Sequence, residues 1–404
     1  GSPRFRAEMS TREPVEAGAA PSTPAPRPRL VGIDAARGLA LLGMIAVHVY
    51  RVAFDDWSPP QWMYEVLLGR SAALFAVLAG VGLALLTGGS RSVGPDRARA
   101  DRKNIAARAG VIAAIGLSLG LIDTELNIIL VQYAVMFLLA LPFTTMPLRR
   151  LAVWAIGWTL LSPVLALLAH SLLPDAGYEF WLTSEPNWAS LITPVVLVVD
   201  LIVTGSYPVL QWFSFFLFGL VVGRLQLGSV VTQVRLIAVG ALLSLGARFV
   251  SALLMGPGGG AGALRESTGT SEPDIIEALL GDGGAAWWLA IDAPHTGTTP
   301  ALLDSMGSAA LVLGLCLLIG RRWEKVLAPL AGAGAMTLTF YSAHLLLMAL
   351  ITGVDYYYNE GAVFWSQAAV ALAVGGLVRH WGRRGPLEKF AHWAGQRART
   401  VARQ

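Results

Sequence analysis

The sequence predicts an all-α polytopic membrane protein of about ten transmembrane helices plus one re-entrant or outer-leaflet helix. Three observations carry this expectation. Apolar residues make up 55% of the 404-residue chain and charged residues 14%, and the mean hydropathy is +0.59. Apolar runs of about 20 residues recur, the length a helix needs to cross a bilayer. Basic and acidic connections alternate along the chain, as the positive-inside rule requires of successive crossings. The net charge of +4 follows from such loops and needs no nucleic-acid partner.

The elements follow in order. Residues 1–28, rich in Pro and Ala with scattered Arg, read as a disordered arm, with 1–8 a cloning remnant and Met9 a native start. No signal-peptide pattern precedes the first apolar run, so that run reads as a retained span. Apolar segments then lie near 30–53, 64–88, 104–122, 126–145, 151–173, 188–204, 208–226, 231–255, 301–320, 330–352 and 361–381. Arg27 and Arg29 precede the first, and a basic connection with Arg91, Arg97, Arg99, Arg102, Lys103 and Arg108 follows the second. Arg149 and Arg150, Arg224 and Arg235, Arg321, Arg322 and Lys325, and finally Arg379, Arg383 and Arg384 mark the later cytoplasmic ends. The opposite connections carry Asp55 and Asp56, Asp123 and Glu125, Asp175, Glu179 and Glu185, and Asp355 and Glu360. The alternation places both termini in the cytoplasm if 188–204, with Pro194 and Asp200, does not cross. Residues 256–300 form a Gly-rich outer loop, with a short helix in "EPDIIEALLGDGG" and an ordered wall in "WWLAIDAPHTGTTP". Trp287 and Trp288 alone would also suit an interfacial anchor. Residues 386–404 read as a basic cytoplasmic tail, and 29–385 as one transmembrane domain.

Ionisable groups inside spans are costly and mark a function or a buried partner. Asp34 and Arg37 lie at i and i+3 of the first span, within ion-pairing reach. They read either as a structural pair or as a station where Arg37 meets a phosphate or carboxylate. His48 lies eleven residues further, nearly on the same helix face and about 16 Å along the axis. It is either a hydrogen-bonded core residue or a base. Arg70, at the outer end of the second span, either snorkels or binds. Gln132 and Tyr133 line a cavity or bridge helices. Tyr341 and His344 sit toward the outer part of their span, and His295 comes from the outer loop, so His48, His295 and His344 can approach one another. Cys316, the one cysteine, reads as a core residue. No metal-ligand spacing, P-loop or G-x-S-x-G elbow is present.

"DAARGLALLGMIAVH" resembles the first-helix signature of the transmembrane acyltransferase superfamily, with the arginine, ten residues and histidine of acyltransferase-3 proteins spanning Arg37 to His48. "GRSAALFAVLAGVGLAL", "ILVQYAVMFLLALP", "MTLTFYSAH" and "RRGPLE" resemble helices of the YeiB-like branch, related to heparan-α-glucosaminide N-acetyltransferase, over roughly residues 29–390. The resemblance implies a bacterial plasma-membrane acyltransferase. An acyl group, acetyl by that resemblance, passes from cytoplasmic acyl-CoA to an extracytoplasmic sugar or lipid-linked glycan, without a metal. His48 is then general base or acyl carrier, with Asp34, Arg37 and His295 in the catalytic set. Arg37, Arg70, Gln132, Tyr133 and His344 would bind substrate or stabilise the oxyanion. Arg99 and Arg102, which loosely match an arginine-pair motif, would attract the nucleotide end of CoA together with Lys103. Acyl-CoA, the acceptor and membrane lipids are the partners, and a homodimer stays open. The rival reading is a transporter or flippase, which the intramembrane charges and the partial segment would also suit, though no internal repeat supports it.

Overall fold

Helix follows helix wherever the chain is described, because a backbone in hydrocarbon must satisfy its own hydrogen bonds. The computed structural model describes residues 30–52, 61–91, 93–122, 126–173, 185–269, 285–354 and 358–401. The predicted arm 1–28 and the short helix within 272–284 lie outside them, as do Asp55, Asp56, Asp123, Glu125, Asp175, Glu179 and Asp355.

The helices are α1 (Val31–Val52), α2 (Gln61–Val66), α3 (Arg70–Leu86), α4 (Pro95–Leu119), α5 (Leu130–Leu139), α6 (Leu148–Ser171), α7 (Pro194–Val199), α8 (Val209–Gly223) and α9 (Val230–Met255). They continue with α10 (Gly260–Thr268), α11 (Ala285–Trp288), α12 (Thr299–Arg322), α13 (Glu324–Gly334), α14 (Thr337–Val354), α15 (Glu360–His380) and α16 (Pro386–Val401). Among the described residues, α1, α6, α9, α12, α14 and α15 are long and apolar enough to cross a membrane, which makes this an all-α polytopic membrane fold.

The other predicted spans are helical but differ in extent, each for a local reason. The second begins at Arg70 because Gly69 adopts φ 71°, a left-handed conformation that ends the preceding turn. The fourth gives way to a 3-10 turn, Leu141–Thr145, at Pro142. The third, α4, starts at Pro95 and carries a polar first half. The run predicted at 330–352 divides between α13 and α14. Residues 188–204 form no single helix: a 3-10 turn, α7 and a π turn over Asp200–Thr204 meet α8 at a bend of 59°. The expected departure from a straight span is therefore present.

The central helix is α1, whose spanning window is 78% buried, against 17% for α15. Apolar side chains such as Trp154, Leu242 and Phe249 leave α6 and α9 outward-facing, as lipid contact requires. Close crossings hold the interior. A Cβ at Gly80 of α3 would strike the backbone of α8 at Phe216, and one at Gly334 of α13 would strike α1 at Asp34. Small residues allow this approach where apolar burial alone gives helices no reason to associate. Trp288 is buried against Leu264 and Met255, so it packs inside rather than anchoring at an interface. Cys316 is buried, as expected of a core residue.

Candidate active site

His48 sits one turn before the end of α1 and is buried, as is His344 of α14. The structure brings their rings together: His48 Nδ1 lies 3.1 Å from His344 Nε2, with the ring planes 13° apart and the centroids 5.2 Å apart. Tyr341, one turn earlier on α14, sets its ring 6.2 Å from His48. The far nitrogen of His344, Nδ1, meets Gln367 Oε1 of α15 at 2.7 Å. Three helices thus contribute one chain of polar atoms inside an apolar bundle, where a hydrogen bond is fully felt.

At the same end of the bundle, a cavity of about 200 Å³ is lined by Arg70, Trp212, Arg248, Asp292, His295 and Asp304, among others. Its organising group is Asp304 of α12, which is buried. Arg70 Nε donates to Asp304 Oδ2 at 3.0 Å and Arg248 Nε to Oδ1 at 3.1 Å, with a further bond from Ser244 Oγ. The wall above is the predicted ordered stretch. Thr298 caps α12 and donates to Ile291 O, and Ser251 Oγ holds Ala290 O at 2.7 Å. His295 has φ 63°, the one positive value at a non-Gly position among the described residues. Its ring stands 5.7 Å from Tyr207 and 6.5 Å from Trp212. Burial pushes the Asp292 carboxyl up to about 6; the charge of Asp304 adds to this, while Arg70 and Arg248 oppose it.

The opposite end of α1 carries the second station. Asp34 accepts from Arg37 Nη1 at 3.3 Å and faces Arg379 Nη1 at 3.8 Å; Arg379 also pairs with Glu324. Arg37 reaches on to Leu78 O at 3.4 Å. Arg108 of α4 lies within the electrostatic reach of Arg37 and Arg384. Arg384 and Arg108 also bear on His392 of α16, whose pKa is lowered by burial first and then by those two charges.

Residues 29–247 match the family described as heparan-alpha-glucosaminide N-acetyltransferase, catalytic. The chain belongs to that family. No curated protein matches the chain. The family match covers His48, Asp34, Arg37, Arg70, Gln132 and Tyr133, whereas His295, Asp304, His344 and Gln367 lie beyond it.

Of the sequence candidates, His48 and His344 meet, and so do Asp34 and Arg37. His295 instead shares the cavity with Arg70. Tyr133 donates to Ala72 O at 3.4 Å and packs on Phe75 and Phe216, and Gln132 is buried beside it. Arg99 is exposed and faces Asp96, and Arg102 donates to Thr145 at 3.1 Å. Sequence reasoning missed Asp304, Arg248 and Gln367. The rule that flagged Asp34 applies equally to a carboxylate in "ALLDSMGSAALVLGL" and a guanidinium in "LGARFVSALL".

Proposed function

We propose that this family member is a membrane-embedded acyltransferase. It moves an acetyl or similar short acyl group from cytoplasmic acyl-CoA to a sugar or lipid-linked glycan on the opposite side. The observation that carries the reading is the buried His48–His344 contact at the end of the helix that begins with Asp34 and Arg37. Arg37, Arg108 and Arg384 converge where the phosphates of CoA would be received, with the arginine fork suited to them. This shifts the nucleotide-binding role from Arg99 and Arg102 to side chains that share a neighbourhood.

His48 takes the proton from an acceptor hydroxyl or amine as that group attacks the thioester carbonyl carbon. The new C–O or C–N bond forms, the C–S bond breaks, and the imidazolium returns its proton to the departing CoA thiolate. The cavity at Arg70, Asp292 and His295 holds the acceptor, with Trp212 as an apolar face for a sugar ring.

The test is binding and slow thioester hydrolysis of acetyl-CoA by the purified protein, followed by His48→Ala. Expected are saturable binding in both proteins and a loss of turnover of about 100-fold or more in the variant. Absence of acetyl-CoA binding overturns the acyltransferase reading in favour of a transport function. Full turnover by the variant overturns the role of His48.

A further inference from the structure

The last described helix, α16, is docked along one side and bare along the other. At about 100° per residue, Pro386, Lys389, Phe390, Trp393, Arg397 and Thr400 share one sector of the helix, and all six are exposed. The opposite side is fixed. Ala391 is buried, a Cβ at Gly395 would strike Asn104 and Arg108 of α4, Arg399 pairs with Asp101, and Glu388 holds Thr339. The exposed stripe therefore cannot turn inward. On it, Phe390 and Trp393 are each 51% exposed, with ring planes 19° apart and centroids 5.8 Å apart. The Arg397 guanidinium lies 4.9 Å from the centre of the Trp393 ring. Glu388 is the one acid in the sequence of α16 and is bonded to Thr339, so the stripe carries cations alone beside its aromatic rings.

Two helices of span length set the level of this stripe. α15 ends at His380, shortly before α16 begins at Pro386, and Glu388 in the first turn of α16 is bonded to Thr339 at the start of α14. The first turn of α16 thus lies where α14 and α15 leave the membrane. We propose that α16 is an in-plane membrane helix: Phe390 and Trp393 enter the headgroup layer, and Lys389 and Arg397 bind anionic phospholipid headgroups, with exposed Arg383 and Arg384 ahead of them. Aromatic rings favour that layer, and cations beside them are drawn to its negative surface. The stripe runs for about 21 Å at 1.5 Å per residue. A lipid surface covers all of it, whereas a nucleobase would cover a single ring. A second copy in a two-fold contact would set the same cations against themselves. The inference goes beyond acyl transfer and stands whatever group the chain moves.

The test uses the full chain in nanodiscs of phosphatidylcholine, with or without about one-third phosphatidylglycerol. A nitroxide on Thr400→Cys reports the depth of the stripe, and buried Cys316 keeps background labelling low. Expected is a label reached by oxygen and shielded from a water-soluble nickel chelate, more so when phosphatidylglycerol is present. In detergent, phosphatidylglycerol binding is titrated by native mass spectrometry. The Lys389→Gln/Arg397→Gln variant should bind it about 10-fold more weakly than the native protein. Arg149→Gln/Arg150→Gln removes the same charge from exposed positions on α6 and should leave the affinity unchanged. A label open to the nickel chelate in both nanodiscs would overturn the proposal, as would equal phosphatidylglycerol affinity in the two glutamine variants. Weaker acetyl-CoA binding by Phe390→Ser/Trp393→Ser, with the label depth unchanged, would give the face to a nucleobase. Spin–spin broadening between labels on two chains would give it to a second copy. Either outcome overturns the lipid assignment.

Discussion

Asp304 shows how much of the cavity depends on one side chain. Its carboxylate is buried and shared by Arg70 and Arg248, whose side chains are 17% and 43% exposed. Asp304→Asn keeps the shape but removes the buried charge that Arg70 and Arg248 share, a loss of about 3 kcal/mol. Arg248→Ala removes a pair in which water already screens one partner and costs under about 1 kcal/mol. Thermal unfolding in detergent should rank the two in that order. Asp292 adds a pH dependence. Its carboxyl titrates at about 6 rather than in the usual range, so it is protonated below that value and ionised above it. Under the proposed function the anion would accept from acceptor hydroxyls or an amine, and the acceptor KM should therefore rise as pH falls through 6. Asp292→Asn should give an acceptor KM that is flat across that window.

At the scale of elements, α16 is more than the basic tail expected from composition. Arg399 pairs at 2.6 Å with the buried Asp101 of α4, and Glu388 accepts from Thr339 N at 3.1 Å and Thr339 Oγ1 at 2.6 Å. The Glu388 bonds dock a helix whose first turn follows Arg384 onto the start of α14, and Arg399 ties its last turn to α4. Glu388→Ala removes both Thr339 bonds, at about 1–3 kcal/mol. It should speed hydrogen exchange in α16 and raise the acetyl-CoA KM, with kcat little changed. How far such features were legible is itself physical. The helices were legible because an apolar run of span length has few alternatives in a bilayer, and Arg37 and His48 shared a face because eleven residues are close to three helical turns. Their ends were not, since Gly69, Pro142 and the bend before α8 act over one or two residues. The cavity was not legible either: Asp304, the carboxylate that Arg70 bonds, lies 234 positions away in sequence. His344 was named from depth alone, but its link to His48 depends on how α14 crosses α1.

For the whole molecule, the decisive feature is that α1 carries charged groups at one end and the imidazole toward the other, inside an otherwise apolar bundle. A reaction linking two compartments needs this separation, because a charged donor and a polar acceptor can each reach a polar station without crossing the hydrocarbon. The proposed function therefore fixes a sidedness. The Arg37 end, with Arg322 at the close of α12, faces the compartment that holds acyl-CoA, and the cavity end, with Arg265 on α10, faces the acceptor. Both Arg322 and Arg265 are exposed, and Cys316 is buried, so background thiol labelling should be low. In intact cells, a membrane-impermeant maleimide should modify Arg265→Cys, and Arg322→Cys only after lysis. Proteoliposomes sorted by that labelling should turn over acetyl-CoA supplied at the Arg322 face and not at the Arg265 face. Labelling of both cysteines from one side would refute a path along α1, because the polar stations would then open to the same compartment.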